Sequence, residues 1–96
     1  QRSGMTTHPD VKTIQALRQR EETAYRLLYS AYYPMIERMV TRQHGTAADA
    51  QDVFQDTLVV LMRKLDDEHW QLTSSLKTYL YAIAHNLWLK RLASQQ

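Results

Sequence analysis

The longest regular feature of the chain is an apolar stripe that begins at Ala24 and recurs at Leu27, Leu28, Ala31, Tyr32, Met35, Ile36, Met39 and Val40. Intervals of three and four residues place these side chains on one face of a helix. Pro34 stands inside the stripe. A proline removes one backbone donor, but the phase is the same on both sides of it, which predicts a kinked helix and not a broken one. Gly45 is expected to end this helix as a left-handed cap. Tyr25, Tyr29 and Tyr33 run at i, i+4 and i+8 beside the stripe and are expected to pack against neighbouring helices. Ahead of them, Val11, Ile14 and Leu17 predict a short helix from about Asp10, a good N-cap residue, to about Gln19.

A new helix is announced by Thr46-Ala-Ala-Asp49, a capping-box-like start whose side chains can satisfy free backbone donors of the first turn. Ala50, Val53, Phe54, Leu58, Leu61, Met62 and Leu65 then keep the helical period, with Val59 and Val60 widening the stripe. The segment from Asp66 to Ser75 is polar and mixed, and reads as a loop longer than the usual connection. One of Thr73, Ser74 and Ser75 is expected to cap the last helix, with Leu76, Leu80, Ile83 and Leu87 as its core side and about Leu92 as its end. The pattern predicts an all-α fold, a compact bundle of about four helices.

Composition narrows the picture without redirecting it. A chain of 96 residues fits one domain with one core, and two Gly and two Pro leave little material for the turns that strands need. With no cysteine, disulfides, thiolate nucleophiles and Cys-rich zinc sites are excluded. His8, His44, His69 and His85 lack the i, i+4 spacing of a helical ligand pair, so neither a metal nor another cofactor is expected. No apolar run approaches the ~20 residues that span a bilayer, and no signal peptide is seen, which predicts a soluble intracellular protein without membrane insertion. Gln1 to Gly4 read as the remnant of a cleaved tag ahead of Met5 as natural start, residues 5–92 as the domain, and residues 93–96 as the start of a linker.

The net charge of +2 announces no partner, so the position of the charges carries the argument. Asp52 and Asp56 lie four apart on one face, with Gln55 beside them. Such a like-charge pair disfavours an isolated helix by roughly 0.2–0.5 kcal/mol. It reads either as a solvated acidic face near a helix N-terminus or as the docking face of a cationic partner. No nucleophile, histidine base or Gly-rich phosphate loop accompanies the pair, and no catalytic residue is assigned. The last helix interleaves Tyr79, Tyr81, His85, Asn86 and Trp88 with Lys77, Lys90 and Arg91, a mixture suited to single strands, where rings stack on bases and cations meet phosphates. Tyr79, Ala82, Asn86 and Lys90 are spaced to share a face. Tyr81 is expected in the core, and Trp88 reads equally well as core or as surface.

Two of these segments resemble a known family. Asp49-Ala-Gln-Asp-Val-Phe-Gln-Asp-Thr-Leu58 is similar to the DAEDLVQETFL signature of the extracytoplasmic-function (ECF) sigma factors, and Leu76-Lys-Thr-Tyr-Leu-Tyr-Ala-Ile-Ala-His-Asn86 resembles their F-x-x-W-L-Y-x-I-A-R-N. Leu27-Leu-Tyr-Ser-Ala-Tyr-Tyr-Pro34 resembles the helix of their first conserved region. The resemblance implies a region 2 domain of a bacterial, cytoplasmic transcription-initiation factor that is not an enzyme. It implies that Asp49, Asp52, Gln55 and Asp56 meet the β′ clamp helices of the RNA polymerase core. It also implies that Tyr79, Asn86, Trp70 and Lys77 meet the non-template strand of the promoter minus-ten element, that Lys90 and Arg91 meet its phosphates, and that the loop 66–75 holds one flipped-out base. An anti-sigma factor and a second helical domain are implied as well. Tyr79 stands where the family usually has Trp, His85 where Arg is common, and Ala82 where Arg often occurs.

A second reading is a helical protein-interaction module, a sigma-like decoy that binds polymerase or an anti-sigma factor without promoter activity. A helix-turn-helix repressor is disfavoured, since no short turn is expected between two helices ahead of a recognition helix.

Overall fold

The structure, a computed structural model, describes residues 10–95. They form four helices: α1 (Val11–Arg18), α2 (Glu22–Arg42), α3 (Ala47–Leu65) and α4 (Leu76–Ser94). Helices α2, α3 and α4 pack against one another, and α1 lies against α2 and α3. The expected tag remnant and Met5 fall outside the described residues. Ala93 and Ser94, expected to open a linker, belong to the last turn of α4.

Helix α2 runs unbroken through Pro34, as its constant phase predicts. Pro34 and Ser30 are both exposed, so the carbonyl that loses its donor is open to water. The core forms two adjoining clusters. One holds Tyr33, Ile36, Met39 and Val40 of α2, Ala50, Val53 and Phe54 of α3, and Ala84 and Trp88 of α4. The other holds Leu17, Ala24, Leu28, Leu61, Leu65, Leu76 and Leu80, so that α1 contributes a single fully buried leucine. Tyr32, Met35 and Leu58 touch both clusters. Burying each large apolar side chain favours the fold by about 1.5–3 kcal/mol. The tyrosine stripe packs as expected: Tyr29 and Tyr33 stack at 4.7 Å and meet Phe54 edge-on at 5.3 and 5.5 Å.

Several expected positions move. Leu27 is 67% exposed and Val59 48% exposed, and Ala31 also faces solvent, because α2 and α3 bury narrower stripes than their apolar content suggests. On α4 the buried positions are Leu76, Leu80, Ala84 and Trp88, four residues apart throughout, while Ile83 and Leu87 are half-buried. Tyr81, expected in the core, is 40% exposed and stacks on His85. Tyr81 lines the open groove between α2 and α4, and the buried place on that side of the helix is taken two turns later by Trp88, whose indole N–H donates to the Gln43 carbonyl at 3.3 Å and whose ring lies beneath Gly45.

Gly45 is not the left-handed cap. That conformation falls on His44, with φ 74°, and the Gly45 N–H returns to the Val40 carbonyl at 2.9 Å as in a Schellman closure. Gly45 is required for a different reason: a Cβ there would clash with Val40 and lie 2.8 Å from the Trp88 ring. Helix α1 ends in the same way, with Arg20 left-handed at φ 60°, Arg20 N–H bonded to the Leu17 carbonyl and Glu21 N–H to the Ala16 carbonyl. A side chain in that backbone conformation costs about 1–2 kcal/mol.

The caps follow the sequence at α3 and α4 and depart from it at α1. Thr46 and Asp49 form a complete capping box, with Asp49 N–H donating to Thr46 Oγ1 at 3.0 Å and Thr46 N–H to Asp49 Oδ2 at 2.9 Å. Ser75, one of three candidates, caps α4 by accepting from Thr78 N–H at 3.1 Å. Asp10 does not cap α1 with its side chain; its Oδ2 accepts from the Leu76 N–H of α4 at 2.7 Å. A carboxylate thus sits at the positive end of α4, contributed from the other end of the chain.

Gly45→Ala is expected to destabilise the fold by about 1–3 kcal/mol through overpacking against a short side chain and a ring that cannot yield, read as a lower urea midpoint at unchanged slope. Thr46→Ala is expected to lose about 0.5–2 kcal/mol in the same assay through the lost cap.

Candidate functional site

The first site candidate is the outer face of α3. Asp52, Gln55 and Asp56 are exposed and Asp49 is half-buried. Hydrogen bonds from Thr46, its backbone N–H first and then its side chain, hold the Asp49 carboxyl below the usual carboxylate range, and nearby Arg91 acts in the same direction. Arg91 reaches across from α4, its Nη2 lying 3.5 Å from Asp52 Oδ2 and 3.9 Å from Asp49 Oδ1. The residue assigned to DNA phosphate is therefore engaged by the acidic face. Asp56 has no ionic partner among the described residues, and the face keeps a surplus of negative charge.

The second candidate is built on α4 and the loop 66–75. Trp70 and Tyr79 come together, ring centroids 5.3 Å apart and tilted by 47°, and both are half-buried. Burial raises the Tyr79 phenol above its ordinary value, so the hydroxyl stays a neutral donor. Further along α4, Ala82, Asn86 and Lys90 are all exposed, and Lys77 is exposed in its first turn. The expected shared face exists, with Tyr79 at its buried edge. The loop is fixed by its own Asx turn, His69 N–H to Asp67 Oδ1 at 2.9 Å, and by Trp70 N–H to the Asp67 carbonyl at 3.0 Å.

Four further cations lie near these surfaces; Arg18 and Arg20 belong to no periodic motif, whereas the i, i+4 spacing of Arg38 and Arg42 on α2 was a signal in the sequence. Arg18 and Arg20 reach the loop from α1 and from the turn that follows it. Arg38 and Arg42 line a groove with Met35, Met39, Gln43 and Tyr81 between α2 and α4. A larger cleft of about 500 Å³ separates α1 from the loop, with Ile14, Gln15, Arg18, Trp70 and Leu72 among its walls. The expectation that no short turn joins two helices is corrected, since residues 43–46 are one. Helix α3, which follows this turn, nevertheless presents Asp49, Asp52 and Asp56 outward, and these would repel a phosphate backbone.

No cluster of three or more His, Asp or Glu able to hold a metal occurs among the described residues, nor is any helix there long and apolar enough to cross a membrane. An all-α bundle with an acidic face on one helix and an aromatic, cationic face on another defines a binding module with two chemically distinct surfaces. The Sigma-70 region 2 family model matches residues 28–96, and the chain belongs to that family. Its members are transcription-factor domains, not enzymes, that bind RNA polymerase and take part in promoter melting. No curated protein and no solved structure matches the chain at comparable significance.

Because the folded-state pKa of Asp49 is depressed, its contribution to stability is complete above the ordinary carboxylate value of 3.8 and is lost as pH falls through the lower folded value. Acid titration of stability should therefore be shallower in Asp49→Asn than in the parent chain below that pH; identical acid limbs would contradict the capping geometry.

Proposed function

We propose that the chain is the promoter-opening domain of a bacterial ECF sigma factor, acting in the cytoplasm on the minus-ten element while held on the RNA polymerase core. The observation that carries this reading is the placement of two chemically distinct surfaces on different helices of one bundle. Asp52, Gln55 and Asp56 are exposed on α3, where the basic β′ clamp helices can reach them, while Trp70, Tyr79, Asn86, Lys77 and Lys90 lie on α4 and the loop before it. One partner can be held without covering the surface for the other.

The chemistry of opening is then the trapping of unstacked bases. Rings and Asn86 offer stacking and base-edge hydrogen bonds that exist only for a melted strand, worth about 1–3 kcal/mol per stacked base, and the exposed lysines meet phosphates. Polymerase supplies the local concentration that this weak surface needs. The native protein is read as a two-domain factor of which residues 5–92 form region 2, with an anti-sigma factor as its regulator.

One observation favours the second reading, a decoy that binds polymerase or an anti-sigma factor without promoter activity. Arg91 is drawn onto Asp49 and Asp52, and Ala82 and His85 replace cations that the family commonly carries, so the strand-facing surface has few phosphate contacts. Retained core binding without any affinity for minus-ten single strands would decide for the decoy.

The Asp52→Ala, Asp56→Ala double variant is expected to bind core polymerase on the order of 30-fold more weakly, about 2 kcal/mol, in a pull-down or competition assay. Asn86→Ala and Tyr79→Ala should bind core as the parent does and lose open-complex formation on a minus-ten template. Unchanged core binding by the double variant would remove the α3 face from the interface.

A further inference from the structure

Helix α1 lies wholly ahead of the span that matches the family, residues 28–96, yet its C-terminal end is fastened to the loop 66–75. The guanidinium of Arg18 spreads over three carbonyls, one at the end of α3 and two in the loop: Nη1 donates to Leu65 at 2.6 Å and to Asp67 at 3.4 Å, and Nη2 to Trp70 at 2.9 Å. Leu65 is the last residue of α3, where carbonyls lack helical partners, so one side chain both satisfies that helix end and holds the loop leaving it. Only a planar fork with several fixed donors can do this; an ammonium offers its donors from a single point. Two residues on, Arg20 adopts a left-handed backbone and places its Nη2 3.0 Å from Asp66 Oδ1. Asp10, just ahead of α1, bonds the first N–H of α4 on the far side of the same loop. The strap thus grips both ends of the loop and its middle.

We propose that α1 and its flanking residues are a strap that sets the shape of the loop 66–75, with Arg18 as the positioning residue that fixes the Trp70 backbone and so the Trp70 ring against Tyr79. The inference rests on the reading of this loop as the surface that holds a flipped base. Arg18 itself touches no base. Its effect is on selectivity: a loop held in one shape distinguishes one base from another, and a loop released from α1 accepts several.

The test uses the chain bound to RNA polymerase core, a panel of single-stranded minus-ten oligonucleotides varied at one position at a time, and hydrogen exchange of the loop amides. Arg18→Lys keeps the charge and loses the fork, and so remains informative if Arg18→Met fails to fold. Arg20→Gly relieves the left-handed strain while removing the ion pair to Asp66. Both are expected to exchange faster across residues 66–75 with core binding unchanged. Arg18→Lys should also weaken discrimination among bases at the position read by the loop by about tenfold, the effect of one hydrogen bond from a charged donor. Trp70→Ala serves as the control. If Trp70→Ala loses discrimination while Arg18→Lys, with a faster-exchanging loop, discriminates as the parent does, the strap is overturned and the base-holding loop stands. If Trp70→Ala also discriminates as the parent does, the loop does not read bases, and the strap falls with that reading.

Discussion

The rotation of α4 about its own axis is set by Trp88, and the placement of the aromatic, cationic surface depends on that rotation. The indole fills the space beneath Gly45 and donates to the Gln43 carbonyl, joining α4 to the turn between α2 and α3. Once that ring is seated, the helix buries positions 76, 80, 84 and 88, and residues 82, 86 and 90 turn to solvent. Had Ile83 and Leu87 led the buried face, the helix would be turned by roughly 50°, and Asn86, next to Leu87, would move toward the core. A mid-helix asparagine is tolerated here because it is exposed and has nothing buried to satisfy.

This dependence explains which features were legible in the sequence. The four helices could be read because each carries its own period, and the capping box at Thr46 and Asp49 because it is local, two side chains and two N–H groups within one turn. The α4 core was misread because Ala84 contributes little to an apolar pattern and Trp88 can be core or surface; only a partner glycine some forty residues earlier decides it. Gly45 was read for its backbone freedom, yet what the fold uses is its missing Cβ, and the left-handed residue is His44. Asp10 looked like the cap of the helix it precedes, and its carboxylate instead accepts from the first N–H of α4, beside the Ser75 cap. In each case the deciding partner is distant in the chain, and no local pattern encodes it.

The candidate site divides along the same line. Asp52, Gln55 and Asp56 were placed outward by the phase of α3 alone. The pairing of Trp70 with Tyr79 could not be read, because the loop that carries Trp70 has no period, and its course is set by an arginine from α1. Loops without internal periodicity take their shape from side chains elsewhere that satisfy their carbonyls, and a sequence does not announce which arginine will do so.

Arg91 shows how closely the two surfaces adjoin. Its guanidinium offsets the repulsion between neighbouring carboxylates by standing between Asp49 and Asp52, at a partly exposed geometry where water and salt screen each contact. An interaction that weak organises the free domain without committing it. A cationic partner arriving at Asp52 competes directly with Arg91 for that carboxylate, and a guanidinium displaced from α3 becomes available to a phosphate on the α4 side. On the reading proposed for this domain, polymerase docking on α3 would therefore add a cation to the strand-facing surface at the moment when the strand is to be held, and would do so through the exchange of one ion pair, without any rearrangement of the bundle.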